Sequence, residues 1–304
     1  MHGRTLLGTL AGVGVAATLA SGQTFRAGVD LVTVGVTVTD RSGAVVRGLT
    51  RDDFRVVEDG RQQTVVQFTA GFDEAAGPDL VPTHLGLLLD TSGSMEADLT
   101  LSRSAAIKFL NTLPDAADIT LVDFDTEVRV ARYGQREFPR LVERIRSRKP
   151  DGFTALYDAL GVYLDGADAQ DGRKVLVLYT DGGDTRSTLR YGELLTLLRA
   201  SDVTVHAVGF LDNQGSAARE NRMRLLQIVE QAGGQAFFPG KLADLDDAYA
   251  KVVAEIRGQY HLGYASTNPA EDGGWRKVEV TLTRPDLKVR ARKGYFARYR
   301  PSPR

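Results

Sequence analysis

The sequence predicts an α/β chain, a doubly wound and mainly parallel sheet inserted in a small β-sandwich-like domain that both ends of the chain build together. Three observations predict it. Between residues 83 and 257, apolar strand candidates alternate with segments of 3.6-residue period, the pattern of a parallel sheet covered by helices on both faces. On either side of that stretch the texture is all-β. The amino-terminal strands alone would form a thin sheet with an unpaired edge, which strands beyond Gly258 can close.

Residues 1–22 read as a secretory signal peptide: Arg4 precedes the apolar, small-residue run Leu6 to Ala20, and Ala20-Ser21-Gly22 offers a cleavage position. The run is shorter than the ~20 apolar residues of a spanning helix, so no stable transmembrane segment is expected after cleavage. The mature protein is expected to be exported, periplasmic or extracellular. Residues 23–82 open the β-domain. Val32, Val34, Val36 and Val38 alternate with Thr33, Gly35, Thr37 and Thr39, a half-buried strand. Thr50 to Phe54 reads as a short helical turn, and Phe54 to Glu58, Asp59-Gly60 and Thr64 to Thr69 as a hairpin.

Residues 83–257 form the α/β unit. Its strand candidates are Leu85 to Leu89, Ile119 to Phe124, Val175 to Tyr179, Val203 to Val208 and Gln235 to Phe238. Ala106, Phe109, Leu110 and Leu113 mark the first helix, and Leu242, Leu245, Tyr249, Val252, Val253 and Ile256 the last. Residues 258–304 return to strands at Gln259 to Ala265, Arg276 to Thr283 and Leu287 to Arg292, separated by Asn268-Pro269 and Asp272-Gly273-Gly274 turns.

Composition narrows the function. Lys and Arg number 38 against 39 Asp and Glu among 304 residues, a balance that gives no field to hold a polyanion, so nucleic acid is not an expected partner. The chain has no cysteine, which removes thiol catalysis, disulfides, thiolate zinc sites and iron–sulfur clusters. A metal here must sit on oxygen or histidine. His84, His206 and His261 lie near separate strands without ligand spacing, which favours core or interface positions.

Three loops carry oxygen donors. The first α/β strand ends in Asp90 and runs into Thr91-Ser92-Gly93-Ser94-Met95; Asp151-Gly152-Phe153-Thr154 presents a hydroxyl before a helix; Tyr179-Thr180-Asp181-Gly182 again places an aspartate at a strand end. All three fall where open α/β sheets bind ligands, at the carboxyl edge of the strands. Asp-x-Ser-x-Ser followed by a distant Thr and a distant Asp resembles the von Willebrand factor A (VWA) domain and its metal-ion-dependent adhesion site (MIDAS), over roughly residues 83 to 257. The resemblance implies a Rossmann-like sheet holding Mg²⁺ (or Mn²⁺ or Ca²⁺), with Ser92, Ser94 and Thr154 as direct ligands and Asp90 and Asp181 acting mainly through waters. It further implies that the metal captures an Asp or Glu of a protein or peptide partner. The flanks Val32 to Thr39, Gly48-Leu49-Thr50-Arg51-Asp52-Asp53-Phe54 and Glu58-Asp59-Gly60 are similar to the secreted bacterial VWFA-related domain proteins.

The expected function is therefore that of an exported, non-enzymatic binding protein. Two alternatives stand beside it, a metal-dependent hydrolase or phosphatase using the strand-end aspartate and a structural protein of the cell envelope. The hydrolase lacks a second carboxylate two residues after Asp90, where Ser92 stands. Asp184 is expected to cap the helix after Thr185 rather than touch metal. Asp123 and Asp125 flank Phe124 and read as a solvated edge, Trp275 as a core or rim position of the β-domain, and Arg140, Arg144, Arg146, Arg148 and Lys149 as a solvated basic face.

Overall fold

A computed structural model describes residues 31–71, 82–111, 116–240 and 242–297, and the expected signal peptide lies outside them. The centre of the fold is a six-stranded sheet. Its strands are β5 (Thr83–Asp90), β6 (Asp118–Phe124), β7 (Val128–Gly134), β8 (Arg173–Thr180), β9 (Thr204–Gly209) and β10 (Ala236–Phe237), in the order β10-β9-β8-β5-β6-β7. All neighbours run parallel except the edge pair β6 and β7. The sequence expectation contains no β7, because Arg129 and Arg132 fall on opposite faces and break the alternation of an edge strand that only half buries itself.

Strand alternation divides β5 between two cores. Leu85, Leu87 and Leu89 face α1 (Leu99–Asn111), α2 (Phe138–Ser147) and α6 (Leu242–Gly258), whereas Leu88 faces α3 (Leu156–Asp168), α4 (Tyr191–Ala200) and α5 (Ala218–Gln231). Gly86 shares the Leu88 face, and a Cβ there would stand 2.3 Å from the Tyr163 ring of α3. The strands leave β5 and β8 toward opposite flanks, so the crevice between their carboxyl ends is the topological switch point.

Both chain ends build the other two sheets, as the thin amino-terminal sheet required. One has the order β13-β1-β11-β4 and the other β14-β12-β2-β3. In the first, β1 (Leu31–Thr39) lies between β11 (Tyr260–Ala265) and β13 (Lys288–Ala291). In the second, β2 (Phe54–Glu58) pairs with β12 (Trp275–Leu282), which also takes β14 (Gly294–Phe296). Val34, Val36, Phe54, Val56, Tyr260, Leu262, Tyr264 and Val278 fill one core between them. The expected hairpin is corrected: β2 pairs with β3 (Arg61–Gln63), while β4 (Val65–Thr69) leaves for the other sheet and pairs with β11. Asp59, with φ 46, and Gly60, with φ 81, make the turn.

The outer, polar face of the first sheet meets the α/β unit through side chains. Arg290 of β13 pairs with Glu255 of α6 and donates to Gly233 O and Gln235 Oε1 at 3.2 and 3.0 Å. Gln259 Nε2 donates to Thr204 Oγ1 at 3.2 Å. Among the described residues no helix is long and apolar enough to cross a membrane.

Candidate functional site

Asp90 ends β5 fully buried, and its two carboxylate oxygens are held differently. Oδ1 accepts from Ser92 N at 3.0 Å and Ser92 Oγ at 2.6 Å; Oδ2 accepts from Thr180 Oγ1 at 2.6 Å. Ser92 Oγ lies 3.1 Å from Ser94 Oγ, which leads outward to the exposed Ser94. Asp181, 1% exposed, follows β8: Oδ1 accepts from Gly183 N at 2.9 Å, Oδ2 from Gln214 Nε2 at 2.8 Å, and its carbonyl from Asn221 Nδ2 at 3.1 Å. Burial and the neighbouring Asp181 carboxylate push Asp90 up to about 7, against the opposing pull of the Ser92 and Thr180 hydroxyls.

Backbone bonds fasten the three loops together. Asp151 N donates to Thr91 O at 3.0 Å and Gly93 N to Gly152 O at 3.1 Å, joining the first loop to the second. Thr185 N and Arg186 N both donate to Thr154 O, at 2.9 and 3.0 Å, and Thr154 N donates to Thr185 Oγ1 at 3.0 Å, joining the second to the third. Thr154 is itself 4% exposed. Asp90, Ser92, Ser94, Thr154 and Asp181 thus come from three loops that form one cluster at the switch point. The donor set is hydroxyl and carboxylate oxygen without thiol or imidazole, and its two buried carboxylates repel one another. That chemistry fits a hard divalent cation.

Sequence reasoning missed Thr180 and Gln214. Thr180 was legible, being the last residue of an apolar strand directly before Asp181. Gln214 was not, since it enters from a loop 33 residues away. Asp184 caps a different helix from the one expected: its Oδ1 accepts from Tyr157 N at 3.2 Å, in the first turn of α3, and from Ser187 Oγ.

Asp123 and Asp125 are not a solvated edge. Asp123 is completely buried, with Arg144 and Arg148 each at 2.8 Å and Arg129 at 3.6 Å. Arg129 also grips Asp125 with both terminal nitrogens, at 2.9 and 3.0 Å. The arginines expected on a solvated face include two that turn inward to this carboxylate. Trp275 is a rim residue, 37% exposed and edge-on to Phe296 at 5.0 Å. The histidines stand apart: His84 bonds Asp118 at 3.1 Å, and His206 lies 3.6 Å from Glu255.

The profile of the von Willebrand factor type A domain matches residues 84–251, more than half of the chain. The chain belongs to this family. The match spans the central sheet, its helices into α6 and the three loops of this cluster. No curated protein matches the chain. Among solved structures, a von Willebrand factor type A protein from Catenulispora acidiphila is 15% identical with a TM-score of 0.49, over 83% of this chain and 74% of that one. The pilus adhesin SpaC from Lactobacillus rhamnosus GG is 11% identical with a TM-score of 0.50, over 86% of this chain and 48% of that one. The PilB minor pilin from Streptococcus sanguinis is 13% identical with a TM-score of 0.48, and the match spans 62% of its length and 60% of this chain.

Proposed function

We propose that this VWA protein is an exported, non-enzymatic binding protein that captures an acidic residue of a protein or peptide partner through a divalent cation, Mg²⁺ before Mn²⁺ or Ca²⁺. The observation that carries the reading is that buried Asp90, bonded to Ser92 and through it linked to Ser94, and buried Asp181 stand at the ends of neighbouring strands, with the Thr154 loop tied by backbone bonds to the loops that follow both. Ser92, Ser94 and Thr154 would hold the cation directly, and Asp90 and Asp181 would balance its charge from behind. When bound, the cation supplies an electrophile for one further carboxylate oxygen, because neutral hydroxyls leave its charge poorly quenched. The chain's own part is preorganisation. Thr180 and Ser92 fix the Asp90 carboxylate, Gln214 fixes Asp181, and the backbone ties hold the three loops in register. Export rests on the run Leu6 to Ala20 and on a chain without cysteine.

Calorimetry with Mg²⁺ tests the site. The wild type should bind, and the combined Asp90→Ala, Asp181→Ala variant should not; equal binding by both would discard the assignment. Thr154→Ala separates capture from a purely structural metal. It removes one hydroxyl and leaves both carboxylates, so metal-dependent partner affinity should fall while the unfolding midpoint in Mg²⁺ moves little. Metal-dependent turnover of a phosphoester or peptide by the wild type would replace capture with hydrolysis.

A further inference from the structure

The loops around the site present a polar rim with one exception. Ser94, Asp151, Thr185 and Arg186 are exposed, and beside the buried Thr154 stands Phe153, 62% exposed. It is the one large apolar side chain exposed on these loops among the described residues. Single exposed apolar side chains are ordinary on protein surfaces. What distinguishes this one is how it is held.

Phe153 N donates to Thr126 Oγ1 at 2.9 Å, and the carbonyl before it, Gly152 O, accepts from Gly93 N at 3.1 Å. Gly152 has φ 68, and a Cβ there would stand 2.3 Å from Thr126 Oγ1, so this tight approach requires glycine. Thr154, on the other side, is tied to Thr185 and Arg186. The backbone is therefore fastened both before and after an aromatic ring that faces water. With the backbone held, only the two side-chain torsions of Phe153 remain to be ordered on binding, so the ring offers a large contact area at a small cost in conformational entropy.

Phe153 and Thr154 are consecutive, their Cα atoms about 3.8 Å apart, the same spacing as neighbouring residues of a bound peptide. We infer that Phe153 is a specificity-determining residue, and that the partner presents its acidic side chain beside an apolar residue that packs on this ring. The inference rests on the capture reading above.

A bead library of Asp-centred pentapeptides with randomised flanks, screened in Mg²⁺ and in chelator, tests it. The wild type should enrich Leu, Ile, Val or Phe next to the Asp. Phe153→Ala should lose that enrichment and weaken the best apolar-flanked peptide by about tenfold or more. The same variant should bind a serine-flanked Asp peptide as the wild type does, with an unchanged unfolding midpoint, and Phe153→Leu should retain most of the preference. Metal-dependent binding without an apolar preference, or a preference that survives Phe153→Ala, overturns this inference and leaves capture standing. Retention that ignores the chelator, or no retention at all, overturns capture and this inference with it.

Discussion

Asp123 neutralises guanidinium groups from β7, from α2 and from just beyond α2, and it does so from a position with no access to water. Removing a buried partner leaves the others uncompensated. The arginines are 28–30% exposed, so water relieves part of the cost, and Asp123→Ala should destabilise by about 2–3 kcal/mol in urea unfolding. Two histidines set an acid limit. Burial, reinforced by Arg290 for His206 and Arg173 for His261, pushes both from 6.5 down to about 3. Glu255 lies 3.6 Å from His206, but Arg290 occupies its carboxylate and burial prevails. Above 6.5 both folded and unfolded chains hold neutral imidazoles. Below it the unfolded chain takes protons that the folded one refuses, so stability falls toward pH 3 by at most about 1.4 kcal/mol per pH unit for each histidine. Asp90, raised from 3.8 to about 7, works in the opposite sense without metal. A comparison of wild type with His261→Gln in chelator cancels the Asp90 contribution. Between pH 7 and pH 5 the variant should lose less stability than the wild type.

The elements meet in ways the sequence discloses unevenly. Gly86 gives up its side chain so that Tyr163 of α3 can lie on β5. Gly86→Ala should cost about 1–3 kcal/mol in thermal or urea unfolding, because the core is already full there. The buried strands were legible because both faces of β5, β8 and β9 are covered and apolar runs announce that. β7 was not, and neither was the break between β3 and β4, since both turn on which neighbour a short polar strand finds. Asp90, Ser92 and Ser94 stand in one local motif, and Thr154 and Asp181 at loop positions that chain order suggests. The carboxylate of Asp123 was misread for the opposite reason: its partners lie on β7 and at the end of α2, and local alternation says nothing of them.

At the scale of the whole molecule, both four-stranded sheets need strands from each end of the chain. Deleting residues 259–304 removes β11 to β14, which leaves β1 without either neighbour and β2 with only the three-residue β3. Hydrogen exchange should then show residues 31–69 unprotected while β5, β6, β8 and β9 remain protected. Survival of protection in residues 31–69 would mean that the amino-terminal strands stand alone. The position of β1 also governs the order of folding. Its Val36 pairs with Tyr260 on one side and Ala291 on the other, contacts that close loops of more than 200 residues. A chain made from its amino terminus therefore completes β1 early and must carry it without β11 and β13 until residues 260–291 have been added. Contacts of such long sequence separation form slowly. The central sheet, whose neighbours lie far closer along the chain, can assemble in the meantime and serve as the platform on which the two ends finally meet.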